Sequence, residues 1–189
     1  MQQFLSYLLP RSWLKTVFYS WGTACSTAYG YISNAPFSAT LILPNLYLGN
    51  LYDACHAPPD VTHIVSAVIG GQVLRDKVAC LYLPLMDDEE EDLLPHLTQV
   101  ITFIEKARAS GGTVLIHCMK GRSRSVSLLS SYLMQTQHLS CDEALQFIKE
   151  KRPMVQPNPS FVKQLHDFEK SLASHSPSLG PLATYPTGC

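Results

Sequence analysis

A mostly parallel α/β sheet with helices on its flanks is the fold class that the 189 residues predict. Two observations carry that expectation. Strand-length runs of β-branched and aromatic residues alternate with amphipathic helical patterns, an order that demands crossover connections. One of those runs, Thr113 to Ile116, leads through His117 and Cys118 into a short glycine-containing loop, and the loop opens directly into a helical pattern. In sheets of this kind ligands sit beyond the carboxyl ends of the strands, so the loop after Cys118 is where a site is expected.

Residues 1–38 read as an extension rather than as part of the domain. Arg11 and Lys15 are the only charges there, and the first carboxylate of the chain is Asp53. An acid-poor, weakly basic and apolar stretch has the composition of a mitochondrial targeting segment or an interfacial helix, although two basic residues are few for either role. The uncharged run from Thr16 onward carries Ser, Thr, Gly and Asn throughout and is too polar for a transmembrane helix.

The folded domain is expected over residues 39–173. Thr40 to Leu48 reads as strand, turn at Pro44-Asn45, strand, and Asn50 to Ala57 as a short helix closed by Pro58-Pro59. Val61 to Val68 and Ala79 to Leu85 are apolar runs of strand length. Asp87 to Asp92, DDEEED, is expected as a solvated loop that also places negative charge at the start of the next helix. That helix spans Leu93 to Ser110, with Leu97, Val100, Ile101, Ile104 and Ala107 on one face and Gly111-Gly112 as its stop.

Beyond the glycine-containing loop, Ser125 to His138 presents Val126, Leu129, Tyr132 and Leu133 to the core. Ser140-x-x-Glu143 forms a capping box for a helix that ends at Arg152-Pro153. Pro157-Asn158-Pro159 then launches a last helix with Phe161, Leu165, Phe168 and Leu172 on one stripe. From residue 174 the composition turns to Ser, Pro and Gly, as in a disordered tail.

The loop dictates its own chemistry. If it wraps as a nest, the backbone N–H groups of Met119, Lys120, Gly121, Arg122 and Ser123 point inward, with the positive end of the following helix behind them. Such a cradle wants an anion. Gly121 can adopt a positive φ or let backbone approach a ligand closely, and Arg124 supplies a planar fork that grips two oxygens of a phosphate. The same field favours a thiolate at Cys118, where an ordinary thiol of pKa about 8.5 would be only a few per cent ionised at neutral pH.

Composition narrows the partners. A net charge of -1 gives no basic footprint for nucleic acid. The six cysteines are scattered, with no C-x-x-C pair or histidine cluster at zinc spacing, and a nucleophilic thiolate suits a reducing compartment, the cytoplasm or nucleus. Cys80 and Cys141 are expected to fill the core rather than pair with Cys118.

HCMKGRSRS matches the His-Cys-x5-Arg-Ser signature of cysteine-dependent protein phosphatases, and the chain resembles the small atypical dual-specificity phosphatases. TLILPNLYL is similar to the opening I-x-P-x-L-Y-L-G stretch of that family, and RPMVQPNPSFVKQL to its closing segment. The resemblance implies the cysteine-phosphatase fold and a two-step hydrolysis of phosphotyrosine and phosphoserine/threonine in proteins, without metal or cofactor. It assigns Cys118 as nucleophile, Arg124 and the loop amides as holders of the phosphate, and His117 as a residue that sets the loop and the thiol's pKa. Ser125 would stabilise the departing thiolate and could cap the helix as well. The general acid would follow the strand ending in Leu83-Pro84-Leu85, which points to Asp87 ahead of Asp88, with neighbouring carboxylates raising its pKa. Lys120 and Arg122 depart from the family's small and apolar residues and resemble the basic loops of phosphoinositide and phosphatidylglycerophosphate phosphatases. An anionic lipid is therefore the alternative substrate, against which the DDEEED run would act by repulsion. A weakly active phosphate-binding module is the third reading.

Overall fold

The computed structural model describes residues 38–70 and 77–175. The readings of the first 37 residues and of the terminal tail lie outside these. Five strands form one sheet in the order β1-β2-β5-β3-β4: β1 (Thr40–Leu43), β2 (Leu46–Gly49), β3 (Val61–Ala67), β4 (Ala79–Leu83) and β5 (Thr113–Cys118). Only the β1–β2 pairing is antiparallel, through a turn in which Asn45 takes φ 60°; every other pairing is parallel. The helices of the described residues are α1 (Leu51–Cys55), α2 (Leu94–Ala109), α3 (Arg124–Gln137), α4 (Cys141–Lys151) and α5 (Pro159–His175).

Strand alternation sorts the core. Val114, Ile116 and Cys118 of β5 join Val65 and Ala67 of β3 in a large cluster with the apolar faces of α2 to α5, whereas Leu115 and Ile64 turn to the other side and pack with Ala54 of α1. All six residues of β5 are buried, which is the continuous apolar run expected of a central parallel strand. Cys118 therefore emerges at the carboxyl end of the most enclosed strand.

Several boundaries shift for local reasons. α1 is shorter than its apolar pattern because Asn50 is its cap: the Asn50 side chain accepts from the Asp53 N–H, and Asp53 accepts from the Asn50 N–H. β4 stops at Leu83, before Pro84. α3 begins at Arg124 with Ser123 as its N-cap, so Ser125 lies inside the first turn and does not cap the helix. That helix is also buried on more than one face, from Ser125 to Met134 without a break. The hydroxyls of Ser127, Ser130 and Ser131 donate to carbonyls three or four residues back, which lets these polar residues lie in the interior. The Ser140–Glu143 capping box of α4 forms as expected.

The acidic run is more divided than a solvated loop. Glu91 is buried, and its Oε2 accepts from the Met86 N–H at 2.7 Å. Asp92 accepts from the Leu94 N–H at the start of α2. No helix of the described residues is long and apolar enough to cross a membrane.

Candidate active site

Cys118 is 1 % exposed, and two donors converge on its sulfur: the Gly121 N–H and the Ser125 hydroxyl, each at 3.2 Å. Burial pushes the thiol pKa up. That is outweighed by the Ser125 hydroxyl, the Arg124 charge and the backbone N–H groups of Ser125 and Arg122, so the thiol ionises below its ordinary value. Alkylation by iodoacetamide should accordingly persist at pH values where a free thiol is protonated. In Ser125→Ala the profile should move to higher pH, because the leading stabiliser of the thiolate is lost; an unmoved profile would remove Ser125 from this role.

Arg124 opens α3 and points back into the loop. Its Nη1 donates to the Leu85 carbonyl at 3.0 Å, while Nε is buried with no hydrogen-bond partner among the described residues. A buried donor left unpaired costs about 1–3 kcal/mol, which an anionic oxygen at this position would recover. Gly121 explains how the loop turns. It holds φ 65°, and a Cβ there would meet the Gly49 carbonyl oxygen at 2.5 Å.

Asp87 reaches the same place from the β4–α2 connection. Its Oδ1 accepts from the Ser123 hydroxyl at 2.6 Å and its Oδ2 lies 3.9 Å from Arg124 Nε, with 39 % of the side chain exposed. Asp88 instead accepts from the Glu90 N–H within its own loop. The structure thus brings Asp87 against the Cys118 loop.

His117 is fully buried, its Nδ1 3.4 Å from the Cys118 carbonyl oxygen. Burial lowers its pKa to about 4, so the ring is neutral at pH 7 and supplies no positive charge to the thiolate. Met119 contributes a carbonyl that accepts from the Leu51 N–H, tying the loop to α1. Lys120 is exposed. Arg122 departs from its expected place: Nε donates to the Met154 carbonyl at 2.9 Å and Nη2 to Gln156 Oε1 at 2.7 Å. Its guanidinium fastens the α4–α5 connection to the loop, which leaves Lys120 as the extra cation beside the cradle.

Four supporting residues escaped the sequence reading. Arg152 is 5 % exposed and donates through Nε to the Gly121 carbonyl and through Nη1 to the Ser38 carbonyl and the Thr40 hydroxyl. Asp53, fully buried, accepts from the Ser38 backbone N–H and hydroxyl. Gln164 of α5 accepts from the Leu93 N–H and donates to the Glu91 carbonyl, while Glu91 fixes Met86. The Arg-Pro and Asn-x-x-Asp patterns were legible only as helix punctuation.

The loop thus joins a buried thiol of lowered pKa, a glycine turn and an arginine whose Nε has no hydrogen-bond partner among the described residues. Residues 46–171 match the dual specificity phosphatase catalytic domain, and the chain belongs to that family. Human dual specificity protein phosphatase 16 is 38 % identical over 158 residues, which are 78 % of this chain and 23 % of that protein. Mouse dual specificity protein phosphatase 15 is 37 % identical over 135 residues, 68 % of this chain and 57 % of that protein. The chain thus spans between about a quarter and just over half the length of these curated relatives. The crystal structure of human DUSP28 superimposes with a TM-score of 0.68 at 35 % identity, covering 75 % of this chain and 99 % of that one.

Proposed function

We propose that this chain hydrolyses phosphate monoesters of tyrosine and of serine or threonine in proteins through a cysteinyl-phosphate intermediate. The carrying observation is the convergence of the Gly121 N–H and the Ser125 hydroxyl on Cys118 Sγ, beside the unpaired Nε of Arg124. In the first step the thiolate attacks phosphorus and the P–O bond to the leaving group breaks. Arg124 and the loop amides hold the non-bridging oxygens, and the departing oxygen takes its proton from Asp87. In the second step water attacks phosphorus, Asp87 accepts the water's proton, and the S–P bond breaks to return a thiolate stabilised by Ser125. His117 shapes the loop from behind, and the backbone of Met119, Lys120, Gly121, Arg122 and Ser123 forms the cradle wall.

Residues 39–173 would form the catalytic unit, with 1–38 and 174–189 outside it, and a resting thiolate is best served by the reducing cytoplasm or nucleus. A protein substrate is favoured over an anionic lipid by two observations. Arg122 is engaged with Met154 and Gln156, and the exposed carboxylates of Glu89, Glu90 and Asp92 follow Asp87, where they would repel a polyanionic surface.

The test is turnover by the full chain of an aryl phosphate, a phosphotyrosine peptide, a phosphothreonine peptide and phosphoinositide vesicles. Cleavage of the first three supports the reading. Cleavage of the lipid alone would overturn the substrate class, and no cleavage of any would leave a binding module. On a substrate with a poor leaving group, Asp87→Asn should lower kcat by about 10²–10³-fold and Asp88→Asn by only a few-fold. The reverse ranking would move the acid to Asp88.

A further inference from the structure

α4 ends at the phosphate loop through Arg152, and its other end, about 16 Å away for a helix of 11 residues, carries a second cluster of chemistry-bearing groups. The sulfur of Cys141, a carboxylate oxygen of Asp142 and a ring nitrogen of His166 all lie within 4.8 Å of one another. Sequence spacing conceals this cluster, because the histidine arrives from α5. We propose that Cys141, Asp142 and His166 form a binding site for a divalent cation of the zinc class, separate from the catalytic loop and bracing α4 against α5.

The donor set selects the ion. A thiolate with an imidazole is a soft pair that suits zinc and disfavours magnesium or calcium, which take oxygen ligands. The histidine is also already oriented: Nε2 lies 3.6 Å from Asp142 Oδ1, while Nδ1 lies 3.4 Å from Glu169 Oε2. A carboxylate on the far nitrogen fixes the Nδ1–H tautomer and turns the Nε2 lone pair toward Asp142, as in carboxylate–histidine–zinc arrangements. Four-coordinate zinc spaces its ligand atoms about 3.3–3.6 Å apart, so the cluster must contract by roughly an ångström. The side chains of Asp142 and His166 are 84 % and 41 % exposed and have room to shift, whereas Cys141 is held in the core. On binding, the Cys141 thiol releases its proton to solvent as the Zn–S bond forms, and water completes the fourth position on the open side.

The test uses the full chain carrying Cys118→Ser, which removes the catalytic sulfur as a competing ligand. Titration with Co²⁺ should produce one equivalent of a thiolate-to-cobalt charge-transfer absorption in the near ultraviolet, bleached by added Zn²⁺. The band should vanish in Cys141→Ala, and zinc affinity should fall about 10–100-fold in Glu169→Gln, which loses the carboxylate on the far nitrogen of His166. Absence of the band, or its survival in Cys141→Ala, would overturn the site, the latter by placing the metal on another cysteine. Should Cys141→Ala fail to fold, His166→Gln at its exposed position decides: unchanged zinc affinity there overturns the site equally. None of these readings depends on phosphatase turnover.

Discussion

Cys118→Ser is expected to lose turnover of every phosphate ester by about 10⁴-fold or more while keeping its affinity for phosphate. The environment of this sulfur lowers the pKa of a thiol, a group that begins at about 8.5. A serine hydroxyl begins many units higher, and the same hydrogen bonds and the same guanidinium cannot bring it into ionisation at pH 7. Arg124 and the loop amides are untouched, so the anion should still bind. Steady-state kinetics on an aryl phosphate, paired with a phosphate-binding isotherm, check both halves. Residual turnover above about one per cent would show that the nucleophile lies elsewhere.

Gly121→Ala carries the second large effect, on activity and stability together. A Cβ at this position would sit 2.5 Å from the Gly49 carbonyl oxygen, 2.8 Å from its carbon and 2.9 Å from Arg152 Nη2. Two of those three neighbours are backbone and cannot rotate away. The loop must move, taking the Gly121 N–H off Cys118 Sγ, so kcat should fall about 10²–10³-fold, the scale for loss of an oxyanion donor. The melting temperature should drop by the equivalent of about 1–3 kcal/mol. Gly111→Ala is the matched control. It holds φ +76° with nothing within 4 Å of an added Cβ, so it bears the backbone strain alone and should leave turnover unchanged. Equal kinetic losses in the two variants would show that strain, and not the collision with Gly49, governs the loop.

The parts of the site that the sequence made legible are those whose positions depend on neighbours along the chain. Cys118, Gly121 and Arg124 are placed by one strand, one turn and one helix start, so their spacing alone brings them together. Arg152 and Asp53 could not be found this way. Each is a charged residue at a helix boundary until the fold brings α4, α1 and Ser38 around the loop. Arg122 is the complementary case: a cation inside the signature resembles a basic lipid-phosphatase loop, and only the fold reveals that the Met154–Gln156 segment supplies two acceptors for its guanidinium. The Ser125 hydroxyl lies against Cys118 Sγ, but Ser125 does not cap the helix, since α3 starts one residue earlier than the apolar pattern suggests. Glu91 illustrates the limit of charge runs, in which one buried member is indistinguishable from its solvated neighbours.

The segment bearing Asp87 is stitched down along its whole length. Ser123 grips Asp87, Glu91 folds back on Met86, Ser160 holds the Glu89 carbonyl, and Gln164 takes both Glu91 and Leu93. On the mechanism proposed above, a proton donor moored at so many points would not travel with its cargo. Esters of different bulk would have to slide up to it, and tolerance would be governed by how far each leaving oxygen can lean toward a stationary carboxyl.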